Sequence, residues 1–181
     1  MLKRIGVKAL IILYVLLQTG CVRDIDLDQA DEFATEQDVD LDLIYFTLDA
    51  QNFTDETGAI IEPATTQETR VELFDDEFFQ ENLEELGLYV RIENTFFQGF
   101  ITTLNFLDEE GNITYSVQIN VTGSTNDQPV TTIYDEVITG EDLDLIRASI
   151  SISIATEIIP DGNPVSGELN FQSKLRYHLT F

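Results

Sequence analysis

From Leu88 to the end of the chain, apolar and polar residues alternate with a period of two. Leu88, Val90 and Ile92 oppose Tyr89, Arg91 and Glu93, and Phe100, Thr102, Leu104 and Phe106 repeat the pattern. Ile113, Tyr115, Val117, Ile119 and Val121 then face away from Thr114, Ser116, Gln118 and Asn120. Successive side chains of a strand point to opposite faces, so each segment predicts a strand with one buried side. Asp108-Glu109-Glu110-Gly111-Asn112 reads as the hairpin turn between two of them. Val130–Ile138 predicts another strand, with Ile133 and Val137 out of phase across a bulge. Residues 148–156 alternate isoleucine with serine. The stretch 159–167, rich in Pro and Gly, excludes regular structure. In 168–181, Leu169, Phe171, Leu175, Tyr177, Leu179 and Phe181 share a face, with Lys174, Arg176 and His178 on the other.

Upstream the pattern is mixed. Residues 43–50 predict a first strand with Ile44, Phe46, Leu48 and Ala50 on one face. Residues 51–69 read as a long polar loop holding a short strand at 59–61, and 70–74 as the next strand. Over 75–86 the period changes: Phe79, Leu83 and Leu86 recur at helical spacing, acids crowd the first turn, and Gly87 stands at the stop position. Thr139 to Asp142 has the form of a helix start, with room for a single turn before Arg147. Seven or eight half-buried strands with one short helix predict an all-β protein, an antiparallel immunoglobulin-like β-sandwich. The likeness is architectural, because the Cys…Trp…Cys hallmark of antibody domains is absent. The competing architecture is a small outer-membrane β-barrel, whose last strand Leu175, Tyr177, Leu179 and Phe181 resemble; the lack of Trp and of two aromatic girdles argues against it.

The first two dozen residues follow a different logic. Met1, Lys3, Arg4 and Lys8 form a basic lead to the apolar run from Leu10, which ends at Thr19-Gly20-Cys21. This is the layout of an export signal, and the run between Lys8 and Gln18 is too short for a membrane span of roughly 20 residues. The segment resembles the signal of bacterial lipoproteins, with Thr19-Gly20-Cys21 similar to the end of a lipobox; Gln18 stands where that family usually has Leu. The resemblance implies that residues 1–20 are removed and that Cys21 carries the lipid. Cys21 is the only cysteine, so no intramolecular disulfide competes for it. Residues 21–42 then read as an acidic tether, since 22–42 hold nine acids against one Arg and like charges keep a linker extended. Within it, Gln29-Ala30-Asp31-Glu32 is similar to the acid-rich signals of surface lipoproteins of the Bacteroidota. The domain proper is predicted over 43–181.

Charge narrows the partners. Three of the nine basic residues precede Cys21, so the remaining chain carries six against 34 acids, a formal charge of −28. Such a field repels nucleic acid and invites cations. Calcium is the one metal the composition suits, because it takes carboxylate oxygens. Asp24, Asp26 and Asp28, and again Asp38, Asp40 and Asp42, have the DxDxD opening of a calcium loop, yet neither set continues with the Gly that the turn requires. No cofactor beyond that possible calcium is predicted. His178 is the sole histidine and no nucleophile motif accompanies it, so no catalytic residue is predicted. Carboxylates are numerous enough to supply a two-carboxylate hydrolase, but no pair stands out. These observations predict a lipid-anchored, non-enzymatic protein of the outer membrane, periplasmic or surface-exposed. Its sandwich would bind or scaffold another envelope protein or a surface glycan. The alternatives are a carboxylate-based hydrolase of the cell surface and the small barrel.

Overall fold

The computed structural model describes residues 36–180, apart from 62–63, 72–73, 75 and 126–127. Its strands are β1 Glu36–Asp49, β2 Ala64–Arg70, β3 Leu83–Asn94, β4 Gly99–Leu107, β5 Ile113–Val121, β6 Val130–Ile138, β7 Ser151–Ile159 and β8 Glu168–Thr180. Two helices, α1 Glu77–Asn82 and α2 Gly140–Arg147, interrupt them. The strands form two four-stranded sheets, β1-β8-β3-β6 and β2-β7-β4-β5, antiparallel throughout. The pairings are nested: β1 with β8, β2 with β7, β3 with β6, β4 with β5. One long antiparallel ribbon has been rolled up, and the β3–β8 and β4–β7 pairings close it into two sheets. That order is the jelly roll, a two-sheet sandwich built from Greek keys. The expected antiparallel sandwich is therefore present, with jelly-roll connections. The barrel alternative fails because the strands form two open sheets rather than one closed ring.

Alternation builds the core. The inward faces of β3, β4, β7 and β8 contribute Leu88, Ile92, Phe100, Leu104, Ile154 and Leu175, all fully buried. Phe53, Phe96 and Phe100 pack edge-on or tilted, with centroids 5.2–6.1 Å apart, and fill one region of it. Tyr177 and Leu179, which a barrel would turn to lipid, are buried in this core. At the β4–β5 hairpin, Gly111 takes φ 80° and Asp108 accepts from the Asn112 amide at 2.8 Å, closing the turn as expected.

Several boundaries differ from the sequence reading, each for a local reason. The chain does not stay helical to Leu86, because α1 ends at Asn82 and Leu83 begins β3. A register shift between Leu83 and Glu85 marks a bulge, so Glu84 and Glu85 are both exposed while Leu83 and Leu86 both point inward. A bulge thus reproduces the three-residue spacing of a helix. Residues 64–69, expected in a loop, belong to β2 beside β7, and β7 itself begins at Ser151 rather than 148. The expected bulge in β6 is absent: pairing with β3 runs unbroken, and Ile133 and Val137 are simply exposed on the outer face. α2 is longer than one turn because Leu143 and Ile146 are buried under it, although Thr139 makes no side-chain capping bond.

The largest revision concerns the tether. β1 begins at Glu36, so Asp38, Asp40 and Asp42 lie in a strand paired with β8 instead of a solvated linker. The register shifts between Asp42 and Tyr45. Before that bulge Val39 and Leu43 are half-buried; after it the inward set is Ile44, Phe46 and Leu48. Alternation therefore changes phase at Leu43–Ile44, and a single-phase reading stops there. Ser173 of β8 fills the break: its hydroxyl accepts from the Ile44 amide at 3.2 Å and lies 3.4 Å from the Ile44 carbonyl.

Candidate functional site

Among the described residues, the outer face of the β1-β8-β3-β6 sheet gathers most of the basic side chains: Arg91, Lys174, Arg176 and His178. On β8, the central partner of both β1 and β3, Lys174, Arg176 and His178 project outward at every second position, opposite Asp42, Asp40 and Asp38 of β1. Asp-x-Asp-x-Asp meets Lys-x-Arg-x-His antiparallel, which is a cross-strand ladder of opposite charges. Lys174 Nζ lies 3.3 Å from Asp42 and His178 Nδ1 2.8 Å from Asp38. The hydrogen bond to Asp42, then the charge of that carboxylate, hold the Lys174 ammonium above the usual lysine range. On β3, Arg91 pairs with Glu93 at 2.5 Å.

Arg176 reaches the other way. It crosses β3 and pairs with Asp135 of β6. Gly87 makes the crossing feasible, because a Cβ there would stand 3.2 Å from both Cβ and Nε of Arg176. Gly87 is thus a mid-strand residue that lets another side chain pass, and not the helix stop the sequence suggested. Where the side chain is missing, the face sinks into a depression of about 610 Å³. Asp38, Asp40, Glu85, Arg176 and His178 line its polar part, with Val137 at its β6 side.

The calcium candidates divide between two regions. Asp24, Asp26 and Asp28 lie outside the described residues, as do Cys21 and the signal. Asp38, Asp40 and Asp42 do not converge on a point. Alternate residues of a strand stand roughly 7 Å apart, and Asp38 and Asp42 already pair with His178 and Lys174. Among the described residues, no three His, Cys, Asp or Glu side chains gather closely enough to hold a metal ion. Other carboxylates serve turns: Asp55, Asp108 and Asp161 accept bonds from Thr57, Asn112 and Asn163 and titrate below the usual range because of them.

For a carboxylate-based hydrolase, the depression is lined by three carboxylates, Asp38, Asp40 and Glu85, together with His178. The sequence reading placed His178 on the polar side of the last strand, and it is there. It missed Glu85, Gly87 and Asp135. The first two were assigned to a helix, and the third gains its role only when Arg176 crosses β3. The matched spacing of residues 38–42 and 174–178 was the one available signal for the ladder.

No protein-family model matches the chain, and no curated protein matches its sequence. Solved structures do match its shape. A structure of the infectious bursal disease virus T13 particle aligns with 80% of this chain and 31% of that one, at 10% identity and TM-score 0.50. The virus's VP2 subviral particle aligns at 11% identity, 80% and 33% coverage and TM-score 0.47. A candidate secreted protein of Parabacteroides distasonis aligns at 15% identity, 63% and 37% coverage and TM-score 0.43. The chain spans about a third of the length of these structures. At such identities the likeness to the T13 particle speaks for the fold alone.

Proposed function

We propose that the chain is an exported, lipid-anchored protein of the cell envelope whose jelly roll binds or scaffolds rather than catalyses. The basic lead, the apolar run and Cys21 support export and anchoring. One observation carries the non-catalytic half. Lys174 and Arg176 are engaged in strand-to-strand ion pairs, and His178 in a hydrogen bond with Asp38, on an open sheet face instead of converging on an enclosed site. Groups held this way stiffen a surface and define its charge pattern, which suits recognition of another envelope protein or a surface glycan. With −28 charges from Cys21 onward, nucleic acid is not among the partners. Among the described residues no helix is long and apolar enough to cross a membrane, so the lipid is the anchor in this reading.

The carboxylate-based hydrolase remains the second reading, favoured by the depression that holds Asp38, Asp40 and Glu85 around His178. Two measurements separate the readings. Cys21→Ala should move the full chain from the membrane to the soluble fraction of expressing cells; unchanged fractionation would sink the anchor. If Glu85→Gln abolished a glycan-cleaving activity of the purified chain, the hydrolase would replace the binding protein.

A further inference from the structure

β6 differs from the other sheet margins. Among the described residues it pairs on one side only, with β3, through nine residues without a register shift. Exposed edges invite another strand unless charge, brevity or a bulge blunts them. β1 has its bulge and its row of Asp38, Asp40 and Asp42. β2 has seven residues and carries Glu68 and Arg70. β5 turns Thr114, Ser116, Gln118 and Asn120 outward and exposes an aliphatic side chain only at its first residue, Ile113. β6 instead presents Ile133 and Val137, 60% and 55% exposed.

The inward side of β6 has the opposite character. Tyr134 donates to Glu136, and both are half-buried. Burial first, then the charges of Glu136 and Asp142, push the Tyr115 hydroxyl above the usual phenol range. Tyr115 belongs to β5, the free edge of the second sheet, and Asp142 to α2. Tyr134 and Glu136 stand on the edge strand itself, an aromatic ring beside a carboxylate, a setting that attracts cations.

We infer that β6 is a docking edge for an extended segment of another protein in which aliphatic residues alternate with Lys or Arg. Added as a fifth strand, such a segment would lay its aliphatic side chains against Ile133 and Val137. Its cations would point toward Glu136 and the ring of Tyr134. Charge complementarity selects this occupant. A second copy would bring the same acids, Asp135 and Glu136, to the edge from a chain of net charge −25, and residues 22–35 of the same chain hold five acids and one Arg.

The inference rests on the binding reading but not on the anchor, so its test leaves the Cys21 result aside. The probe is a nine-residue peptide, the length of β6, alternating lysine with valine or isoleucine. Its control has the same composition split into a lysine block and an aliphatic block, which keeps the charge and removes the alternation. Hydrogen exchange of the full chain in detergent is followed by mass spectrometry. The alternating peptide should slow exchange in 130–138 about tenfold at saturation and leave β1 unchanged; Ile133→Lys, at an exposed position that keeps the fold, should weaken binding about tenfold, and Glu136→Gln less. Equal protection by the blocked peptide, or none in 130–138, overturns the inference. Protection of β6 that grows with protein concentration in the absence of peptide overturns it in favour of a second copy.

Discussion

The two halves of β1 belong to one strand and pair with one partner, yet they are held by different forces. After the bulge, Ile44 and Leu48 are buried and Phe46 stacks on Phe171 at 4.8 Å, so this half is part of the core. Before it, Leu41 is 37% exposed, Val39 and Leu43 are only half-buried, and Asp38 and Asp42 pair with His178 and Lys174 across the ladder to β8. Apolar burial contributes about 1.5–3 kcal/mol for a full side chain, whereas an exposed ion pair contributes about 0–1. The second half therefore supplies stability, and the first supplies register. A one-residue slip would turn the row of acids toward the core and take Asp42 and Asp38 away from Lys174 and His178.

The sharpest way to break that comparison is a matched pair of substitutions. Leu48→Asp buries an unpaired charge where the side chain is 2% exposed and should lower the unfolding free energy by about 4 kcal/mol. Leu41→Asp should cost about 1 kcal/mol or less. Urea unfolding of both variants decides it; similar costs would mean that the halves are equivalent.

Next in size is the join between them. Ser173→Ala removes the hydroxyl that bonds the Ile44 amide and carbonyl beside the bulge, for an expected loss of about 1–3 kcal/mol. If the melting temperature does not move, water or a slipped register replaces the hydroxyl.

The ladder itself should be weak. Asp42→Asn should cost under about 1 kcal/mol, and the loss should shrink as salt is added. A double-mutant cycle with Lys174→Met isolates the pair, and a coupling well above that range would contradict the division drawn here.

The smallest effect is on pH. Because the Lys174 titration is raised by its partner, the pair contributes fully below the ordinary lysine range and is lost as pH rises through the raised value. The depressed Asp55, Asp108 and Asp161 act in the opposite sense, contributing above the ordinary carboxylate range and failing as pH falls. Amide exchange in 36–42, corrected for its intrinsic pH dependence, should therefore quicken at alkaline pH while 44–49 stays protected. A uniform response along β1 would argue against two separately held halves.

Most of the strands were legible beforehand, and the misreadings in β1 and β3 share one cause. β4, β5 and the Gly111 hairpin were readable because regular alternation and turn chemistry are local. β1, β3 and their bulges were not, since an extra residue changes the phase of the pattern. At Leu83–Leu86 that change imitated a helix, and at Leu43–Ile44 it hid half a strand. Of the candidate site, the side of β8 carrying Lys174, Arg176 and His178 was readable, but not what it faces.

Local chemistry settled that this chain is an antiparallel sandwich with a basic lead, an apolar run and a single cysteine at its start. Those features depend on neighbouring residues and on the period of a strand. Which strands pair was decided only in the folded chain, because β1 meets β8 across more than a hundred residues. Nothing local distinguishes a jelly roll from another eight-stranded sandwich. The same holds for Gly87, Arg176 and Asp135, whose arrangement exists only once β8, β3 and β6 lie side by side. Alternation specifies which face of a strand is buried; the partner that covers it, and the charges it meets on the other face, follow from how the ribbon is rolled.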